Sequence, residues 1–540
     1  LSCRAFGFGG THGRDEKHRV GCMTFLNTLT SGRTGTVLRY VAVALAGALG
    51  SIAFSVPAAN WFLLVSLAVL FLVTVQPGSK KEGFLFGWLW GIVFFSVGLR
   101  WCYGSLHDHG QLGMMLSVTT IVLLGAVLAC FIGCVTGITR ALPVSRRLKL
   151  IVLLPVLWSI FELLRGVEPA GFGWLSVGYA YSSDFFGAWA PIAGVYGVGF
   201  AVVLTVGFAV ELLFPHEDKK PWLKTVDAIV LGALAMVTLV LNDVSYSEPG
   251  SRLEVRLVQP DLPVAMNYTQ STAVKRIDRA VAMSSRSAMG KQLDLIVWPE
   301  STIATPLRNG LDVPALAAVD VAAKTGASVV FNAFYREGPG RYYNGMWMAA
   351  DKNKPAQLFY RKHHLVPFGE FVPAGFRWFV DALGIPMADQ LRGPVGGEPF
   401  EVSGVSGAAG ICYENMFGEE LRHAWDQANP SFILNTANLG WFSEAVLPQF
   451  TGMSAMRARE TARPLIQAVQ NAHSALIGPD GKIERLASAG AQNMDLTLVT
   501  ATGKPTPFVR FGLWPLIGLL VLMMAGVLAL ARRENRSHQA

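Results

Sequence analysis

Charge is scarce in this chain. Asp, Glu, Lys and Arg make up only 15% of its 540 residues, against about 25% in an ordinary soluble protein. A wholly soluble enzyme is therefore a poor description, and the mean hydropathy of +0.39 points toward a bilayer. Cysteine is scarcer still. There are six, and Cys412 is the only one between residues 250 and 505. A local disulfide there is excluded, because a bridge needs two thiols. Cys130 and Cys134, one helical turn apart in an apolar run, read as packing, and no metal-ligand spacing is found. We expect neither metal nor cofactor. The net charge of +8 lacks the basic stripe with interleaved aromatics that nucleic-acid binding would require. The first 22 residues have no apolar core of the signal-peptide kind. We read 1–22 as a non-native or disordered extension and Met23 as the start.

Long apolar runs are abundant. A helix needs roughly 20 apolar residues to cross the hydrocarbon core, and eight stretches qualify: 38–57, 60–76, 83–103, 112–138, 149–166, 187–214, 223–242 and 511–531. Seven fall in a membrane domain, 23–245, and the eighth follows the polar segment. Alternate loops carry the cations: Arg33 and Arg39, Lys80 and Lys81, Arg140 to Lys149, Lys219 to Lys224, then Arg532, Arg533 and Arg536. The opposite short loops hold only Arg100 and Arg165. By the positive-inside rule, both termini and the 532–540 tail are cytoplasmic, and residues 250–505 face outward. Trp174, Tyr179, Tyr181 and Trp189 in the outer loops read as an interfacial belt or the lining of a lipid-entry cleft. Glu162, costly in lipid, is expected to pair with Arg165.

The polar segment alternates strand-like runs, such as "RLEVRLVQP", "DLIVWPES" and "FILNTAN", with helix-like ones such as "VPALAAVDVAAKTG" and "GMSAMRARETAR". About 255 residues of this kind predict one α/β or α+β domain. Three strand ends carry reactive groups: Glu300 in "LIVWPE", Lys362 in "FYRKHHLVPFGEFVP" and Cys412 in "SGAAGICYENMFGEE". Singly, each fits a bland role: a solvated acid, an edge-strand lysine, a core cysteine. Together they make a chemical set. A carboxylate takes the proton of a thiol that is mostly protonated at neutral pH, and an ammonium stabilises the oxyanion of the adduct. The small residues before Cys412 are expected to leave room for a bound chain.

"WPES", "RKHHLVPFGEFVP" and "GICYENMFGE", in that order, resemble the nitrilase (carbon–nitrogen hydrolase) superfamily. With eight spans around them, they resemble its bacterial apolipoprotein N-acyltransferase family, from Met23 to the tail. "VQPDLPVAMNY", "NTANLGWF" and the long run from Met453 add to the likeness. The resemblance implies an αββα sandwich on a multi-span membrane domain. It implies a Glu–Lys–Cys triad, with Glu300 as base, Lys362 on the oxyanion and Cys412 as nucleophile. Glu370 would position the lysine, Tyr413 and Glu414 would support the turn, with the Tyr413 N–H as oxyanion donor, and Tyr268 would contact substrate. The implied donor is a phospholipid such as phosphatidylethanolamine. The acceptor is the α-amino group of a diacylglyceryl-cysteine on an apolipoprotein, the final step of lipoprotein maturation. A monomer in the bacterial inner membrane is expected, with its catalytic domain in the periplasm.

The chain departs from the family pattern at Tyr268, where Trp is common, and at Phe450, where His is common. Two other readings compete. A membrane-anchored amidase or nitrilase would release the acyl group to water. A scaffold or transporter would need a lost triad position, and none is lost.

Overall fold

The computed structural model describes residues 32–539 apart from 168–170, 215–219, 265–267, 289, 352 and 383–388. Residues 1–22 and Met23 lie outside the described residues. A helix lies at each of the eight expected spans: α1 Gly32–Ile52, α2 Trp61–Thr74, α3 Lys80–Gly98, α4 Met114–Ala141, α5 Leu154–Gly166, α6 Ala190–Leu213, α7 Pro221–Asp243, and a last helix at Trp514–Gln539. Among the described residues, five helical stretches are long and apolar enough to cross a bilayer alone: Thr34–Ile52, Met114–Ala141, Phe185–Leu213, Pro221–Asp243 and Trp514–Arg532. The expected count of eight is thus not reached by length and composition. The 14-residue α2 rises only about 21 Å, α3 opens on Lys80, Lys81 and Glu82, and α5 begins after a π-helical turn at Lys149–Leu153. The last helix also continues through the segment expected as a tail.

Charges counted as loop cations are partly structural. Arg140, at the end of α4, donates to Thr74 O (3.0 Å) and Val73 O (2.8 Å), closing the last turn of α2, and pairs with Glu82 (2.7 Å). Helix ends leave carbonyls unpaired, and this buried guanidinium satisfies two of them. Glu162 and Arg165 are electrostatic neighbours, but their direct hydrogen bonds go to the following loop. Glu162 Oε1 accepts from Val177 N–H (2.8 Å), and Arg165 donates to Phe172 O (2.6 Å), Trp174 O (2.7 Å) and Ser176 Oγ (3.0 Å). The loop they brace carries Trp174, Tyr179 and Tyr181, all buried. These three do not form an interfacial belt.

The polar segment folds as two six-stranded sheets. The first comprises β1 Glu248–Gln259, β2 Leu295–Val297, β3 Ser328–Gly338, β4 Arg341–Ala349 and β5 Gln357–Arg361. The second comprises β6 Phe400–Val402, β7 Val405–Ile411, β8 Phe432–Asn438, β9 Leu465–Gln470, β10 Ala475–Ile477 and β11 Ile483–Leu486. The chain then returns as β12 Gln492–Thr502 to the edge of the first sheet, giving the orders β12-β1-β2-β3-β4-β5 and β11-β10-β9-β8-β7-β6. Antiparallel pairing of β12 with β1 runs from Glu248↔Thr502 to Gln259↔Gln492.

The inner faces share one apolar core, with Leu253, Val255 and Val297 from one sheet and Ala409, Leu434 and Ile466 from the other. Helices α8 Gln270–Ser284 and α9 Val313–Thr325 cover the first sheet. α8 stops at Ser284. Helix α10, Leu447–Thr461, covers the second sheet through Ala455 and Ala458. The layers therefore run helix, sheet, sheet, helix. The other side of α10, with Phe450, Met453 and Met456, packs into the same core as Trp101, Tyr179 and Val195. Sequence departure at Phe450 is thus a core position, 1% exposed.

Candidate active site

Strand β7 is almost side-chain-free at its centre for a packing reason. A Cβ on Gly407 would lie 2.6 Å from Phe432 Cζ and 2.9 Å from Phe400, while Ala408 and Ala409 fill opposite cores. The missing side chain at Gly407 lets rings from both neighbouring strands of the same sheet, β6 and β8, lie over β7. At Gly410, the glycine nearest Cys412, a Cβ would meet only ordinary contacts, Asn435 Nδ2 at 3.7 Å and Glu414 Cβ at 4.0 Å, so the tight packing at Gly407 does not extend to it. At the strand's end Cys412 takes φ = 52° and starts a 3₁₀ turn, Cys412–Met416. A non-glycine residue there is strained, and such strain persists only where the surroundings hold it. Ser301, after Glu300, and Phe368, near Glu370, share the left-handed conformation.

Glu414 is the hub of that turn. Its Oε2 accepts from Ile411 N–H (2.8 Å) and Tyr360 O–H (2.8 Å). Its Oε1 accepts from the backbone N–H of His363 (2.6 Å) and His364 (3.1 Å). One buried carboxylate thus ties the Cys412 turn to the residues just after Lys362. Burial pushes its pKa up, opposed by Lys362 and these donors. Tyr413 points the other way: its O–H donates to Gly171 O (3.0 Å) in the membrane domain.

Lys362 leaves β5 with its side chain 1% exposed. Its Nζ lies 2.9 Å from Glu370 Oε1 and 4.0 Å from Glu300 Oε1. Asn344, on β4, donates through Nδ2 to both carboxylates, at 2.9 Å to Glu300 and 3.2 Å to Glu370. Asn332 Nδ2 orients that amide, donating to Asn344 Oδ1 at 2.7 Å. Glu300 Oε2 accepts from Asn438 N–H (2.8 Å) at the end of β8. Glu370 Oε2 accepts from Val366 N–H (2.9 Å).

Electrostatics join this cluster to the thiol. Burial is the largest influence on Cys412 and raises its pKa well above the usual thiol value; Glu300 raises it further and Lys362 opposes. Burial also raises Glu300, again opposed by Lys362. For Lys362, burial alone would lower the pKa, but Glu370, Glu300 and Cys412 together raise it. The resting arrangement is a neutral thiol beside a fixed ammonium. A nucleophile so placed needs a base during attack.

The structure brings Glu300, Lys362, Glu370, Cys412 and Glu414 together. Tyr268 is linked to them indirectly. Its ring lies 4.6 Å from the Arg276 guanidinium, which donates to Ser301 O beside Glu300 (2.6 Å). Residues 265–267 just before it lie outside the described residues.

Two domains of this chain match known families. Residues 46–208 match the apolipoprotein N-acyltransferase N-terminal domain, and residues 255–502 match the carbon–nitrogen hydrolase domain. Apolipoprotein N-acyltransferase of Ralstonia nicotianae is 31% identical over 92% of this chain and 95% of its own length. The chain belongs to the apolipoprotein N-acyltransferase family. The family proteins of Bordetella bronchiseptica (30% identical, 92% of this chain and 97% of its own) and Nitrosomonas europaea (32%, 86% and 92%) are similarly related. An amidase of the nitrilase superfamily from Nesterenkonia AN1 aligns at TM-score 0.36 and 17% identity, over 49% of this chain and 95% of that one. The family membership and the apolar helices make this a membrane protein with a carbon–nitrogen hydrolase domain.

Sequence reasoning missed Asn344, Asn332, Tyr360 and the Asn438 N–H. For the two asparagines a signal existed: each is a lone amide inside an apolar strand, in "VVFNAFY" and "YYNGMWM", and buried amides must find partners.

Proposed function

We propose that this apolipoprotein N-acyltransferase-family enzyme moves an acyl chain from a phospholipid, through a thioester on Cys412, to the N-terminal amine of a diacylglyceryl-cysteine. The single observation that carries the mechanism is Lys362 Nζ, held 2.9 Å from Glu370 and 4.0 Å from Glu300 in the cluster that acts on the Cys412 thiol. Glu300 takes the Sγ proton as Sγ attacks the ester carbonyl. Lys362 stabilises the oxyanion, and the lysophospholipid alcohol leaves with the proton from Glu300. The acceptor amine then attacks the thioester, Glu300 takes its proton, and the Cys412 sulfur leaves as the amide forms, regaining that proton from Glu300. Glu370 positions Lys362, Glu414 and Tyr413 set the turn, and Tyr268 borders the substrate path.

The proposed setting is the bacterial inner membrane. Eight helices form the membrane layer, the termini face the cytoplasm, and the segment 250–505 works as a monomer's catalytic domain on the periplasmic side. The buried contact of α10 with membrane-domain residues supports a catalytic domain seated on the helices. Taking an acyl chain into water costs about 0.8 kcal/mol per methylene, a penalty this seating avoids.

The test is intact mass after incubation with phosphatidylethanolamine. The expected result is an acyl-sized, hydroxylamine-labile adduct that is absent in Cys412→Ser and discharges onto a diacylated lipopeptide. No adduct, or one that survives Cys412→Ser, overturns the mechanism. Discharge to water alone assigns the chain to hydrolysis instead.

A further inference from the structure

The turn that carries Cys412 is gripped from behind by α10. Asn415 Nδ2 donates to Ser454 Oγ (2.7 Å) and Phe450 O (3.3 Å). The Met416 carbonyl, which ends the turn, accepts from two donors: Arg457 Nη1 (3.0 Å) and the O–H of Tyr179 (2.7 Å) from the membrane domain. Arg457 Nη2 donates to Glu460 Oε1 at 2.8 Å, and both side chains are 1% exposed. The same Glu460 oxygen accepts from Val195 N–H (2.8 Å) inside membrane helix α6.

Val195 follows a break in that helix. Ala193 (φ −142°) and Gly194 (φ 63°) are non-helical, and a residue after such a break loses the carbonyl four residues back. Glu460 replaces that lost acceptor. The break needs glycine twice over. Its φ is left-handed, and a Cβ there would sit 2.6 Å from Phe508 and 3.2 Å from Glu460 Oε1.

We propose that Glu460 is a positioning residue for acyl transfer. By joining the broken membrane helix to Arg457, it fixes the Met416 carbonyl and, four residues back, the strained conformation of Cys412. Stability alone is a weak account of such a pair, since a buried ion pair can often be replaced by apolar residues without loss. What an apolar replacement would not supply is a linkage from α6 to the turn. The membrane domain therefore helps to build the catalytic geometry.

This proposal rests on Cys412 being the acylated nucleophile, and its test separates the two. In the full chain in nanodiscs, the rate of acyl-Cys412 formation per folded molecule is measured at saturating phosphatidylethanolamine. Glu460→Gln removes the charge, Gly194→Ala disturbs the linkage from the membrane side, and Tyr179→Phe removes one donor without stranding a charge. Misplacing a reacting group by about 1 Å costs up to about a hundred-fold. Glu460→Gln and Gly194→Ala are therefore expected to slow acylation about ten- to a hundred-fold with KM within about two-fold, and Tyr179→Phe to slow it less. Because the first two act on one linkage, the double variant should be no slower than the slower single. An unchanged rate per folded molecule in Glu460→Gln and Tyr179→Phe overturns the proposal, as does a rise in KM at constant saturated rate, or multiplicative effects in the double variant. If the unsubstituted enzyme forms no adduct, the nucleophile assignment falls, and this proposal with it.

Discussion

Asn344→Leu should move the acid limb of acyl-enzyme formation to higher pH. The Asn344 amide donates to Glu300 at 2.9 Å and to Glu370 at 3.2 Å, and it stabilises the charged form of Glu300. A hydrogen bond to a charged group contributes about 1.5–3 kcal/mol. Losing it disfavours the ionised form of Glu300 and raises its pKa further. Burial already raises this carboxyl and Asn344 opposes that rise, so both effects of the substitution on Glu300 have the same sign. Glu300 is a base only when ionised. The rate therefore falls at low pH and recovers once the pH exceeds the new, higher pKa. Leucine is close to asparagine in size, and Asn332, which loses its side-chain partner, still donates to Gly345 O (3.0 Å). The assay is quenched-flow intact mass of the Cys412 adduct from about pH 5 to about pH 9, the range over which a raised carboxyl titrates. A limb that stays in place, or moves to lower pH, refutes Glu300 as the base. So does a uniform loss at every pH.

Lys362→Met should slow iodoacetamide alkylation of Cys412 at fixed pH, because Lys362 is the group holding the thiol pKa down; breaking its buried ion pairs should also cost about 3–5 kcal/mol of stability, read as a lower unfolding midpoint. Gln449→Leu removes an acceptor shared by the indoles of Trp101 (3.0 Å) and Trp174 (2.6 Å) and a donor to Gly98 O (2.9 Å). At about 1 kcal/mol per bond, it should expose the α10 interface to limited proteolysis, and an unchanged cleavage pattern would contradict this. Gly407→Leu forces a side chain against Phe432 and Phe400 and should cost about 1–3 kcal/mol by overpacking, while acylation per folded molecule stays unchanged.

The candidate cluster was legible because its members sit at strand ends. Glu300, Lys362 and Cys412 each follow an apolar run, so hydrophobic pattern and reactive residue mark the same spot. The strands β3, β8 and β9 and the helix α9 were legible for the same reason, and Gly326 at φ 73° caps α9 as its position suggests. What was hidden is long-range. β12 reads as polar because only alternate residues face the core, and its partner lies some 240 residues earlier in the chain. β6, only three residues long, is too short to signal itself. The outer-loop aromatics looked like a lipid belt because composition cannot distinguish a ring facing lipid from one facing a docked domain. Glu162 and Arg165 drew attention as a charge pair, yet each found backbone partners in a loop whose path no local pattern gives.

The pairing of β1 with β12 also governs when the catalytic unit can exist. Glu248 enters directly from α7, and Thr502, its ladder partner, precedes the last helix. On a ribosome adding about 5–20 residues per second, β1 waits for most of the catalytic sequence to emerge before its edge is covered. Until then the first sheet presents an unpaired strand, a template for wrong partners. Completion of the domain and delivery of the final helix are therefore nearly simultaneous. The timing is set by synthesis of β12, and a product truncated before it would be left with an open sheet rather than a slower enzyme.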